Sequence, residues 1–159
     1  MDRKKRKGAR VLFWILFLVY LLMLEYFLFF AEATGRVSDR SYQYNLVLFH
    51  EIRRFLTYRH TLGFWAVTLN LVGNVIAFVP FGFFLPLLMH KMRYFGKTIL
   101  FGFEASVLIE VIQLFSKVGS FDVDDVLLNT AGVILGYFCF FLFHRYVKKR
   151  DQNGEDRHC

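Results

Sequence analysis

Only two prolines and two cysteines occur in 159 residues. So little proline, beside long apolar runs, excludes a collagen-like, low-complexity or disordered chain. No C-x-x-C pair is present: Cys139 sits inside an apolar run and Cys159 is the last residue. Neither a zinc site nor a redox motif is therefore indicated. A Ser/His/Asp set, a Gly-rich phosphate loop, an H-E-x-x-H pair and a haem motif are also missing. Acid is scarce relative to base, with 13 Asp and Glu against 20 Lys and Arg, a net charge of +7. In a soluble chain that balance would suggest nucleic acid, but no recognition motif accompanies it.

Apolar side chain is what the sequence has in excess. Hydrophobic residues make up 56% of the chain and 21 residues are Phe; the mean hydropathy is +0.40. A soluble domain of this length has too little interior to bury that much. Four apolar segments stand out: Val11 to about Ala31, Phe64 to Met89, Thr98 to Phe115, and Val126 to Phe143. Each approaches or exceeds the ~20 residues that cross a bilayer as a helix. Hydrocarbon offers the backbone no water, so the segments should be helical. The expected fold is an all-α polytopic transmembrane bundle of about four spans, with residues 1–10 a basic segment, 11–146 the membrane domain and 147–159 a polar tail. Arg3-Lys4-Lys5-Arg6-Lys7 and Ala31-Glu32-Ala33 also suit a signal peptide, but the apolar stretch between them exceeds a usual signal core. A retained anchor is the better reading.

Charge gives a direction. With both termini cytoplasmic, the inner segments hold 14 Lys and Arg and the outer loops six, as the positive-inside rule requires. In the first outer loop, Leu48, Phe49, Ile52, Phe55 and Leu56 recur at helical spacing among His50, Glu51, Arg53 and Arg54. That pattern suits a short external amphipathic helix in the interface, or a plain loop packed on the bundle. Pro80 and Pro86 are expected to kink the second span, or to split it near Phe81-Gly82.

Polar residues inside spans are costly and usually face the bundle interior. Asn70, Gly73, Asn74 and Ala77 share one face of span two; Gly102, Ser106, Glu110 and Gln113 one face of span three; Asp125, Asn129, Gly132 and Gly136 one face of span four. The polar ends of all three stripes fall on the external side, where the link before span four adds Asp122 and Asp124. The small-residue ends of spans three and four should pack on the other side. The coincidence predicts an outward-opening polar pocket. The amides could equally tie helices together. The acids admit several chemistries: a divalent cation, although their spacing is not that of an EF-hand; ion pairs with Arg53, Arg54 or Lys117; general acid–base work; or recognition of a cationic ligand group.

At these residues the chain resembles the VanZ-like family. The matching pieces are Asn45-Leu46-Val47-Leu48-Phe49 with Ile52, Asn70-Leu71-Val72-Gly73-Asn74 leading to Phe78-Val79-Pro80-Phe81-Gly82, Glu110-Val111-Ile112-Gln113, and Phe121-Asp122-Val123-Asp124-Asp125 with Asn129-Thr130-Ala131-Gly132 and Gly136. Where many members carry an Arg before the Phe-Asp motif, this chain has Gly119 and Ser120, with Lys117 nearby. The resemblance implies a multi-helix integral membrane protein. The family's namesake is associated with resistance to the lipid-tailed glycopeptide teicoplanin by a route that does not require altered cell-wall peptides.

Asn45, Arg53, Asn70, Asn74, Glu110, Gln113, Asp122, Asp124, Asp125 and Asn129 are the candidate ligand-binding residues. The leading expectation is a non-catalytic envelope protein that binds or shields a lipid-linked or lipid-tailed molecule at the outer leaflet. The alternatives are a small membrane enzyme acting on a lipid head group or lipid-linked glycan, and a subunit that assembles with another membrane protein or with itself. Membrane lipids are expected partners and nucleic acid is not.

Overall fold

The computed structural model describes residues 3–28, 44–57, 64–117 and 119–155. Ala31 to Ala33, where the first span was expected to end and a cleavage motif to lie, are outside the described residues. Five helices and two short strands follow in order: α1 (Arg3–Tyr26), β1 (Tyr44–Asn45), α2 (His50–Thr57), α3 (Phe64–Leu88), α4 (Phe95–Phe115), β2 (Phe121–Asp122) and α5 (Val123–Glu155). A 3-10 turn over His90–Arg93 joins α3 to α4. Helices α1, α3, α4 and α5 each contain a stretch long and apolar enough to cross a membrane. The fold is an all-α polytopic bundle, as composition and periodicity indicated, and the amphipathic stretch before α3 is a helix rather than a plain loop.

Helix α5 starts three residues before the expected fourth span and continues well past its end, 33 residues in all. At 1.5 Å per residue it is about 50 Å long, beyond the ~30 Å of a hydrocarbon core. Its last turns carry exposed Arg145, Lys148, Lys149 and Arg150 away from the packed bundle.

Hydrocarbon-facing helices gain little from the hydrophobic effect, so they associate through close packing and hydrogen bonds. The closest approach joins α3 to α5. A Cβ added at Gly132 would collide with the Val75 carbonyl, and one at Gly136 with the Val79 carbonyl. The small-residue stripe of span four therefore meets span two more than span three. Span three takes part by a different fit: Gly102 receives the side chain of Val133.

Helix α3 runs unbroken through Pro80 and Pro86 and does not split at Phe81-Gly82. Each proline removes one backbone donor, and packing on both sides compensates. Gly82 lies directly against the Val133 carbonyl of α5. Phe78, Phe81, Leu85 and Leu88 are buried in a core shared with Phe17 and Leu24 of α1 and Val133. Phenylalanine fills the α1–α3–α4 space: Phe17 meets Phe81 at 6.1 Å, and Phe81 stacks on Phe101 at 6.1 Å. The Tyr20 hydroxyl donates to the Ala77 carbonyl at 2.7 Å and ties α1 to α3.

Two further bonds establish which ends coincide. Arg10 of α1 donates to the Leu88 carbonyl at the end of α3. Tyr137 of α5 donates to the Arg93 carbonyl in the turn before α4. The basic start of α1, the Lys91–Arg93 turn and the basic end of α5 thus share one end of the bundle.

The Gly132 contact predicts a sharp contrast. Gly132→Ala forces two backbones apart and should cost about 1–3 kcal/mol. Gly96→Ala, built into open space in the first turn of α4, should be neutral or stabilising by up to about 1 kcal/mol. Thermal unfolding in detergent measures both; equal effects would contradict this packing.

Candidate functional site

The opposite end of the bundle holds the polar residues. Every residue of α4 that is buried is polar or glycine: Thr98, Gly102, Ser106, Glu110 and Gln113. Their spacing puts them on one face, which turns inward because the apolar remainder can face lipid. On α5 the first-turn acids follow from the chain's entry into the helix. Asp122 stands just before Val123, and its Oδ1 accepts the Asp124 N–H at 2.8 Å, the geometry of an N-cap. Asp124 and Asp125 then sit in the first turn, where the helix dipole favours negative charge.

Hydrogen bonds from this polar set reach the neighbouring elements. Glu110 Oε2 accepts the Asp122 N–H at 3.1 Å, tying α4 to β2. β2 pairs in parallel with β1, with Asn45 opposite Asp122. Asn45 Nδ2 adds a side-chain bond to Asp122 Oδ1 at 3.3 Å. Asn74 Nδ2 donates to Asp125 Oδ1 at 2.6 Å, tying α3 to α5. Asn129 Nδ2 donates to Ser106 Oγ at 2.9 Å, tying α5 to α4 one turn deeper. Gln113 Nε2 reaches the Leu28 carbonyl at 3.1 Å, just past the end of α1.

The carboxylate of Asp124 has a further role. Its Oδ1 accepts the Phe49 N–H at 2.5 Å and its Oδ2 the Ile52 N–H at 3.3 Å. Helix α2 begins at His50, so these are the N–H groups of its cap residue and third residue. A helix start leaves such donors unpaired. Usually a local side chain accepts them. Here the acceptor comes from another helix, 75 residues away from Phe49. The side chain that does this is only 1% exposed. Phe49 itself has φ 62, the left-handed region that a bulky residue rarely adopts. That conformation costs on the order of 1–3 kcal/mol and persists only where its surroundings hold it. The bond from its N–H to Asp124 is the visible restraint.

Of the ten candidate residues, the structure brings eight into this end of the bundle through hydrogen bonds: Asn45, Asn74, Glu110, Gln113, Asp122, Asp124, Asp125 and Asn129. Arg53 lies on α2 with its side chain exposed, outside the buried set. The side chain of Asn70 is outside the described residues. Sequence reasoning missed the backbone groups of Phe49 and Ile52 and the carbonyl of Leu28, since main-chain donors and acceptors leave no mark in a residue pattern. It also passed over Thr98, which continues the α4 stripe one step beyond Gly102 and donates to the Met92 carbonyl.

Among the described residues, no group of three or more His, Cys, Asp or Glu side chains is arranged to hold a metal ion. The donors named above for Asp122, Asp124 and Asp125 are the protein's own N–H and amide groups. Asn129 Oδ1, buried beside the α4–α5 seam, has no hydrogen-bond partner.

Four membrane-length helices closed by a buried polar network define a multi-pass integral membrane protein. The match to known families agrees: the VanZ/LLP1 family model covers residues 17–144. The chain belongs to the VanZ/LLP1 family. A relative, Protein VanZ of Enterococcus faecium, is 30% identical over 81 residues, which is 51% of this chain and 50% of that protein. The chain thus spans about half the length of this curated relative in the match. No solved structure matches it.

The Asp124 bonds can be tested directly. Asp124→Ala should speed hydrogen exchange at the Phe49 and Ile52 amides by about tenfold or more, as loss of a ~1–2 kcal/mol cap implies. Asp124→Asn, which keeps one acceptor oxygen, should lie between. Arg53→Ala should leave both amides protected. Unchanged exchange in Asp124→Ala would refute the capping role.

Proposed function

We propose that this protein acts without catalysis at the outer leaflet, where it binds or shields a lipid-linked or lipid-tailed molecule. By that route it lowers sensitivity to teicoplanin-type lipoglycopeptides. The supporting observation is the separation of charge along the bundle. Exposed bases gather at the end where α1 begins and α5 finishes, and buried carboxylates gather at the other end. With the basic end in the cytoplasm, both termini are cytoplasmic and the carboxylate network lies at outer-leaflet depth. The carboxylates of Glu110, Asp122 and Asp124 are buried. They hold β1 and α2 across the mouth of the bundle, so the surface offered to a ligand is the one these elements present. Family membership favours the resistance role, and the resemblance to the VanZ-like family supplies teicoplanin as the compound to test.

A susceptible host expressing the chain should tolerate more teicoplanin than the same host with an empty vector. Asp124→Ala should remove the gain while the protein still reaches the membrane. Reporter fusions should place both termini in the cytoplasm. Equal susceptibility with and without the chain would end the resistance reading.

A further inference from the structure

We propose that the turn from Leu46 to Phe49, together with Arg53 and Arg54 of α2, is a docking surface for an acidic phospholipid of the surrounding bilayer. Tyr44, Leu46, Val47, Leu48 and Phe49 are between 54 and 68% exposed. Four of them are consecutive. Such a run facing water is unfavourable in a folded protein and marks a surface meant to be covered.

The backbone of this turn is fixed against the start of α5. Tyr44 and Asn45 pair with Phe121 and Asp122, and Phe49 N–H is bound by Asp124. Those partners form the entry of α5, whose membrane-length stretch starts at Val123. The turn therefore lies where hydrocarbon gives way to headgroups, not far out in solvent. Phe115, the last residue of α4, is likewise exposed just before the link to β2. The apolar surface of the turn thus lies at the level where the lipid-facing surface of the spans ends.

Charge selects the headgroup. Within about a turn and a half of Phe49, α2 presents exposed Arg53, with the exposed, already partnered Arg54 beside it. The acids beside them in the fold, Asp122 and Asp124, are buried. Among the described side chains, the exposed groups of the turn and the first half of α2 are apolar side chains, His50, Arg53 and Arg54. Insertion of the apolar side chains beside acyl chains, with the guanidinium groups on phosphate, is the way a basic amphipathic element binds an interface. Guanidinium groups also match phosphate oxygens in geometry. The surface is independent of which end of the bundle is external, because either leaflet offers the same boundary. It therefore stands apart from the teicoplanin reading.

The test uses the full chain with Cys139→Ala, Cys159→Ser and Leu48→Cys, labelled with an environment-sensitive NBD dye. It is reconstituted in nanodiscs of phosphatidylcholine alone, or with a minority of phosphatidylglycerol. The dye should emit as in an apolar medium and be quenched by lipids spin-labelled near the glycerol. Phosphatidylglycerol should be enriched over phosphatidylcholine in the lipid that co-purifies with the protein. Arg53→Gln with Arg54→Gln should reduce that enrichment by about fivefold per arginine removed. Water-like emission overturns the proposal. So does apolar emission that the labelled lipids fail to quench, the result if a second copy of the chain covers the turn. Unchanged phosphatidylglycerol enrichment in the double variant overturns it as well.

Discussion

One buried carboxylate, that of Asp124, connects the membrane bundle to the elements laid across its mouth. Helix α2 has eight residues, too few to be stable alone in water. It forms where the half-buried Ile52 faces the bundle and the donors at its start find an acceptor. A local Ser, Thr or Asp would have capped it equally well, but would not have fixed it in place. By accepting the Phe49 and Ile52 N–H groups, Asp124 makes the existence of α2 and its position the same event. The left-handed conformation of Phe49 follows from this. The chain must leave β1, turn, and aim its N–H groups at a fixed carboxylate on another helix.

That carboxylate is itself held in turn. Asp122 receives the Asp124 N–H, Glu110 receives the Asp122 N–H, and Asn74 reaches Asp125. Leaving a buried ionised group without donors is far more costly than any one hydrogen bond is favourable. Removal of one member therefore strands its neighbours. The geometry needed to close these bonds depends in turn on the distance between α3 and α5, which Gly132 and Gly136 set. A network of short bonds between rigid helices tolerates little change in spacing, so glycines about two and three turns deeper than Asp125 control whether Asn74 can reach it.

Much of this was legible in the sequence. Four apolar runs gave the spans within a few residues at most ends, because length and hydropathy alone decide membrane crossing. The i, i+4, i+7 spacing of Ser106, Glu110 and Gln113 marked the inward face of α4, because polar residues in a span have nowhere else to go. The amphipathic pattern before α3 suited a helix. Partnership was harder to read. Gly132 and Gly136 announced a close approach, but their spacing could not say that the Val75 and Val79 carbonyls would be opposite. Pro80 and Pro86 suggested a break, and only the packing around Gly82 explains why α3 continues. The four acids looked alike in sequence. Their different tasks depend on which donor each one meets, and that is a property of the folded chain.

This division of labour also explains how an acidic cluster fits a protein of net charge +7. The carboxylates near the mouth are spent on internal donors, so their charge is turned inward. Among the described side chains, the turn and the start of α2 expose mainly apolar residues with His50, Arg53 and Arg54. A surface of that kind favours amphiphiles with an acidic head and disfavours soluble cations, although the residue count in the same region would suggest the opposite. Acid composition near a membrane mouth is therefore a poor guide to the charge a ligand meets there. The direction in which each carboxylate finds its donors decides it.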